Sequence, residues 1–166
     1  LGDLIESLRP FLRGIDELAW FVVNKSLNPG ESIEFRPGKA GWLVDIAVVV
    51  DTPYLSVKHN YWGQDIEYSI YSVYVYGNLS TNVAYNYVTK YDTVNNIYSM
   101  AYAPRPFKYY TKSAYIKITA PLINPITLVP ITTPATITYL LVHYLEITDL
   151  DELKKSMQEV LGSGIS

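Results

Sequence analysis

Apolar residues recur at spacings of three and four along the start of the chain: Leu1, Leu4, Leu8, Phe11, Ile15, Leu18 and Val22. The stripe predicts an N-terminal helical segment over 1–27, with Arg9, Arg13, Asp16 and Glu17 off it. Pro10 should kink or split that helix, because proline lacks an amide hydrogen and clashes with the preceding turn. Gly14 weakens it further. The same stripe also fits a short coiled coil ahead of a globular head, although coiled coils normally run longer and without proline.

After the turn signal Asn28-Pro-Gly30 the pattern changes to alternation. Strands are expected at Ser32–Arg36, Trp42–Val50, Tyr54–Trp62, Ile66–Tyr76, Tyr109–Ala120 and Thr136–Thr148, with one or two more in Val83–Lys90 and Asn96–Tyr102. Gly63-Gln-Asp65 reads as a hairpin connection between two of them. In Trp42–Val50 the set Trp42, Val44, Ile46, Val48 and Val50 is expected on one face, with Leu43, Ala47 and Val49 on the other. Thr136–Thr148 is also apolar on both alternations. Strands of this kind belong in the middle of a sheet, covered on both sides. Pro121, Pro125, Pro130 and Pro134 cannot sit in a central strand, so their stretch is an edge segment or a long ordered loop. A C-terminal helix follows. Asp149 and Glu152 have capping-box spacing, Leu150, Leu153, Met157, Val160 and Leu161 form its stripe, and Gly162 is its stop.

The expected fold is mainly β: an antiparallel β-sandwich at 28–148, flanked by the helical segment at 1–27 and a C-terminal helix and tail at 149–166. One central-type strand comes early and the other last. Joining them in one sheet needs Greek-key or jelly-roll winding rather than a meander.

Composition changes this picture in one region. Fourteen of the 16 tyrosines lie between Tyr54 and Tyr115, and from Tyr68 to Tyr102 the only charged residues are Lys90 and Asp92. Tyrosine carries a large apolar ring, few rotamers and a polar tip, which suits surfaces that are both soluble and adhesive. Part of the set must be core, and cross-strand aromatic pairs alone stabilise a sheet by about 0.2–1 kcal/mol each. Two binding roles fit the remainder. One is self-association through low-charge Tyr/Asn-rich faces, giving a homo-oligomer or a contact with other structural subunits. The other is a carbohydrate-binding or host-recognition surface in which rings stack on sugars and asparagines bond hydroxyls. The candidate binding residues are Tyr61, Trp62, Tyr85, Tyr87, Tyr91, Tyr98 and Tyr102.

The remaining chemistry is sparse. The net charge is −3, and Arg105, Lys108, Lys112 and Lys117 form at most a mildly basic face, so nucleic acid is not an expected partner. There is no cysteine, which removes disulfide and thiolate chemistry. No apolar run reaches the ~18 residues of a membrane-spanning helix. The first residue is Leu1 rather than Met, as expected of a processed or trimmed chain. Asn24-Lys-Ser26 and Asn78-Leu-Ser80 match the N-glycosylation pattern, which arises often by chance. His59 and His143 lie in strands without neighbouring ligands and read as structural, so neither a metal nor a cofactor is expected. Asp45, Asp51, Asp65 and Glu67 read as a solvated rim rather than a calcium loop. No nucleophile elbow or phosphate loop is present, and catalytic clefts gather titratable groups that the tyrosine block lacks. A non-enzymatic protein is expected.

The stretches Asn28-Pro-Gly-Glu-Ser-Ile-Glu-Phe35 and Gly41-Trp-Leu-Val-Asp-Ile-Ala-Val-Val-Val50-Asp-Thr-Pro-Tyr54 resemble β-sandwich structural proteins of virus particles. The cysteine-free, Tyr-, Asn-, Thr- and Pro-rich style is similar to virion and surface-filament proteins of hyperthermophilic archaea and their viruses. The resemblance implies a jelly-roll-type capsid, spike, tail or filament subunit, located in a virion or at a cell surface, with no catalytic residues to carry over. A subunit joined by strand exchange would offer a free strand at one end, whereas both ends here are expected to be helical.

Overall fold

A computed structural model describes residues 2–61, 65–77 and 85–163. Trp62 and the Asn78-Leu-Ser80 tripeptide lie outside the described residues. The order is α1 (Gly2–Leu8), a 3-10 turn (Arg9–Phe11), β1 (Ile15–Leu27), β2 (Ser32–Phe35), β3 (Gly41–Val50), β4 (Ser56–Asn60), β5 (Asp65–Tyr68), α2 (Ile70–Tyr76), β6 (Asn86–Asp92), β7 (Ile97–Tyr102), β8 (Lys108–Tyr110), β9 (Tyr115–Thr119), β10 (Ala135–Ile147) and α3 (Leu150–Ser163). Two antiparallel sheets face each other. The larger runs β1-β10-β3-β7-β6, with β8 paired to the start of β3 at Gly41–Leu43; the smaller runs β2-β9-β4-β5. The two central-type strands, β3 and β10, are neighbours in the larger sheet.

Three expectations are corrected. The N-terminal helix stops at the Pro10 turn, and Ile15–Leu27 is a strand paired along all of β10. The run Trp20-Phe21-Val22-Val23 is apolar on both alternations and rich in β-formers, which outweighs the helical stripe. The sandwich therefore starts at Ile15, not at residue 28. The expected strand Ile66–Tyr76 ends at Tyr68, and Ile70–Tyr76 is helix. Ser69 and Ser72 cap it reciprocally, each side chain bonding the other's backbone amide. That helix packs on β6 and β7, covering the part of the larger sheet that the four-stranded sheet leaves open. Tyr109–Ala120 is also not one strand. A turn at Thr111–Ala114 moves the chain from β8 in one sheet to β9 in the other.

Bulges exchange the faces of the central strands. Ile46, Val48 and Val50 point into the main core, as does Leu43, whereas Trp42 and Val44 point outward. The register of β3 against β10 slips at His143/Tyr144, and this irregularity reverses the parity expected for Trp42 and Val44. The main core also takes Ile116, Ile118, Ile137, Leu140 and Val142. Trp42, Val44 and Leu145 form a second cluster outside the sheet with Ile5, Phe107 and Leu153, under α1 and α3.

Helix α3 is held at its start as expected: the Asp149 carboxylate accepts from the Glu152 amide at 3.1 Å. The return arm of the box is replaced. Glu152 and Glu159 bind the Arg13 guanidinium at 3.0 and 3.2 Å, and the Arg13 amide donates to the buried Ser156 hydroxyl. Gly14 has φ +77° and a Cβ there would lie 2.1 Å from the Asp149 carbonyl oxygen, so only glycine lets the chain pass beneath this helix. Both terminal helices thus occupy one pole, which we call basal. The other, apical pole carries the turns after β1, β3 and β6, helix α2 and the proline-rich loop 120–134.

Candidate functional site

The tyrosine block is split by the fold into a buried network, a groove and part of an open face. Tyr61, Tyr98 and Tyr102 are at most 5 % exposed. They are therefore corrected as ligand-stacking candidates, because their ring faces are covered by protein. Inward-facing alternation placed them there, and polar tips alone did not reveal it.

The centre of the buried set is His59, which is fully buried. Its Nδ1 lies 2.8 Å from the Tyr61 hydroxyl and its Nε2 lies 2.8 Å from the Tyr68 hydroxyl. Tyr61 also bonds the hydroxyl of Tyr102, on the opposite sheet. Burial lowers the His59 pKa to about 3. Burial, followed by the neighbouring Tyr102, pushes Tyr61 and Tyr68 well above their ordinary range. All members are neutral at physiological pH. A neutral imidazole has one donor and one acceptor nitrogen, so one phenol must donate to it and the other accept. The network ties the sheets together through satisfied polar groups. The imidazole has no exposure, and its bonds are all to side chains of the core.

The outward faces of the two sheets differ in kind. The smaller sheet presents Glu34, Lys58, Lys117, Asp65 and Glu67, with Lys58 and Asp65 paired at 3.5 Å. This is an ordinary solvated face. On the larger sheet, register aligns Phe21, Leu141, Ala47, Ala101 and Tyr87 in one row across five strands. The next row toward the apex is Val23, Tyr139, Val49 and Ser99. Phe21 is 61 % exposed, Val23 53 % and Tyr87 51 %. At the basal border His143 meets Glu17 at 2.6 Å and Asp45 at 3.6 Å, and at the β6 edge the exposed Lys90 lies opposite Ser99. The helices α1 and α3 cover the basal end of this face, and no described element covers the rest. Tyr87, one of the candidate residues, belongs to it, whereas Tyr85, half exposed just before β6 at φ +67°, lies in none of its rows. Phe21, Val23, Tyr139 and Leu141 were not foreseen, although the double alternation of the central strands was their signal.

The apical pole holds the remaining rings. Tyr74 stacks on Tyr91 at 3.9 Å between centroids, and Tyr91 meets Tyr98 edge-on at 4.9 Å. Burial and the surrounding tyrosines raise Tyr91 to about 12, and its contacts with the rings of Tyr74 and Tyr98 commit this candidate to packing as well. Tyr54, Tyr71 and Tyr76 line a groove of about 570 Å³ between α2, the β4–β5 edge and Ile123 and Pro125 of the proline-rich loop. That loop is ordered by its own bonds: Asn124 accepts from Leu128 and its side chain from Ile126 and Thr127. It nevertheless leaves Leu128 75 % exposed, with Leu122, Ile126 and Val129 also exposed.

The other sequence candidates do not converge. Arg105 pairs with Glu6, Lys108 lies over the Tyr61 ring, Lys112 is in a turn and Lys117 is on the polar sheet. Asp45 faces His143, Asp51 caps Thr136, Asp65 bonds Asn60 and Glu67 accepts from Ser56. Among the described residues no three His, Asp or Glu side chains gather to hold a metal, and no helix is long and apolar enough to cross a membrane. No family model matches this chain, and no curated protein matches it significantly in sequence.

Proposed function

We propose that this protein is a non-enzymatic structural subunit that self-associates through the outward face of its larger sheet, as a building block of a virion or surface assembly. The observation that carries the reading is the row Phe21–Leu141–Ala47–Ala101–Tyr87, apolar on a sheet whose inner side already holds the core. Exposed contiguous apolar surface of this kind marks an interaction site. A second copy is the occupant that fits, because the two apolar rows meet charged side chains only at their borders, so they desolvate at little electrostatic cost against themselves. Five strands about 4.8 Å apart and two rows of side chains give roughly 300 Å² per partner, the size of a weak, reversible contact.

The strand order supports the same reading. Without β6 and β8, the chain pairs β1 with β10, β2 with β9, β3 with β7 and β4 with β5. That is a long hairpin folded on itself, rolled so that β10 meets β3 and β9 meets β4. We read this winding as jelly-roll-like, an architecture that recurs in capsid subunits and in lectins. Fold alone does not assign function; the open apolar face is what favours the assembly reading.

The test is sedimentation equilibrium over a wide concentration range. The wild-type chain should associate reversibly. Phe21→Glu combined with Tyr139→Glu should weaken that association at least about 100-fold, as for two central contacts, with circular dichroism unchanged. A wild-type chain that stays monomeric at the highest attainable concentration would overturn the proposal.

A further inference from the structure

We infer that the apical groove between α2 and the proline-rich loop binds a neutral saccharide. Its volume, about 570 Å³, is within the range of small-molecule clefts. One wall is aromatic and fixed: Tyr71 meets Tyr54 edge-on at 5.4 Å between centroids and Tyr76 at 6.3 Å. Ile123 and Pro125 form the opposite wall, and Pro125 belongs to a loop that its own hydrogen bonds hold in place. A sugar ring has an apolar C–H face and a rim of hydroxyls. The phenol rings and the aliphatic wall suit the first, and a carboxylate suits the second.

That carboxylate is Glu67. Its Oε1 accepts from the Ser56 hydroxyl at 2.8 Å, which orients the group beside the groove. A carboxylate has about four acceptor sites, so this bond leaves capacity for ligand hydroxyls. The charge also sets the class. No basic side chain lines the groove, so phosphorylated, sialylated and uronic-acid ligands would meet Glu67 uncompensated. A neutral polyol meets no such penalty. Among the described residues, the walls come from the turn before β4, from β4, β5 and α2, and from the loop, none of which contributes to the open face of the larger sheet. Saccharide binding and self-association can therefore coexist, and each can fail without the other.

The experiment is an NMR titration of the whole chain with maltohexaose, cellohexaose, mannohexaose and chitohexaose, with oligogalacturonate as the anionic counterpart. At least one neutral oligosaccharide should shift the amides of Tyr54, Glu67, Tyr71 and Tyr76, and oligogalacturonate should not. Tyr76→Ala, at a side chain more than half exposed, and Glu67→Gln should each weaken binding about 10-fold or more, with the sedimentation behaviour unchanged. The inference is overturned by an absence of groove shifts with all four neutral probes at ~10 mM. Shifts confined to other surfaces, or wild-type affinity in both variants, would overturn it as well.

Discussion

Acidification is expected to remove about 1.4 kcal/mol of folding stability per pH unit between pH 6.5 and pH 3, and His59→Gln is expected to abolish that slope. In the folded chain the imidazole stays neutral down to about pH 3, because burial penalises its charged form. In the unfolded chain it takes up a proton near its ordinary value of 6.5. Between these limits the unfolded state binds one more proton, so stability falls as pH falls. Integrated over the window, the loss is on the order of 5 kcal/mol, a large share of the stability of an ordinary domain. The exposed Asp65 and Asp92 act in the same direction but lower. Hydrogen bonds from Asn60 and Tyr115, and from the Asn95 amide, depress their pKa values, so their contributions fade only as pH falls below the ordinary carboxylate range.

Glutamine is the informative replacement because its amide offers one donor and one acceptor arm to Tyr61 and Tyr68 without titrating. At neutral pH His59→Gln should cost about 1–3 kcal/mol for imperfect hydrogen bonds. His59→Phe should cost more, since it leaves two buried hydroxyls without their partner. Urea unfolding at half-unit pH intervals from 4 to 7 reads both quantities. An unchanged slope in His59→Gln would place the acid sensitivity elsewhere in the molecule.

The same network shows where sequence was legible and where it was not. The alternation Leu55, Val57, His59, Tyr61 was visible, and all four are buried. That the histidine's partners would be Tyr68, from the next strand, and Tyr61, two residues on, depended on register and on inward orientation, which the residues alone do not disclose. The doubly apolar patterns of β3 and β10 located the centre of the larger sheet, and the spacing of Asp149 located the start of α3. The N-terminal stripe misled because an alternating strand of mixed large residues also yields apolar spacings of three and four. The residues Ile70–Tyr76 misled because β-branched and aromatic side chains usually signal a strand. A local cap by two serines, and an uncovered end of a sheet to pack against, made them a helix instead. The open face is the converse case. Its β3 and β10 residues were read as covered on both sides, and within one chain they are covered on one.

Gly41→Ala should be among the most damaging single substitutions in this protein. An added Cβ would lie 2.0 Å from the carbonyl oxygen of Leu145 and 2.7 Å from the hydroxyl of Tyr110. The tyrosine tip is itself buried, and the carbonyl is backbone of β10, so neither can yield by a simple rotamer change. Gly41 pairs with Glu146 on one side and Tyr110 on the other, just basal to the bulge that turns Trp42 and Val44 outward. To admit a methyl group, β3 and β10 must separate where the two cores meet. The expected loss is roughly 3 kcal/mol or more, at the upper end for overpacking. Gly162 provides the control, since a Cβ there meets nothing within 4 Å. In the last turn of α3, Gly162→Ala should be neutral or stabilising by up to about 1 kcal/mol. Thermal or urea unfolding of the two variants side by side separates a steric demand at Gly41 from a general effect of replacing glycine. Equal stabilities would show that the central pair of strands is looser at its basal end than the close approach of Gly41 to Leu145 requires.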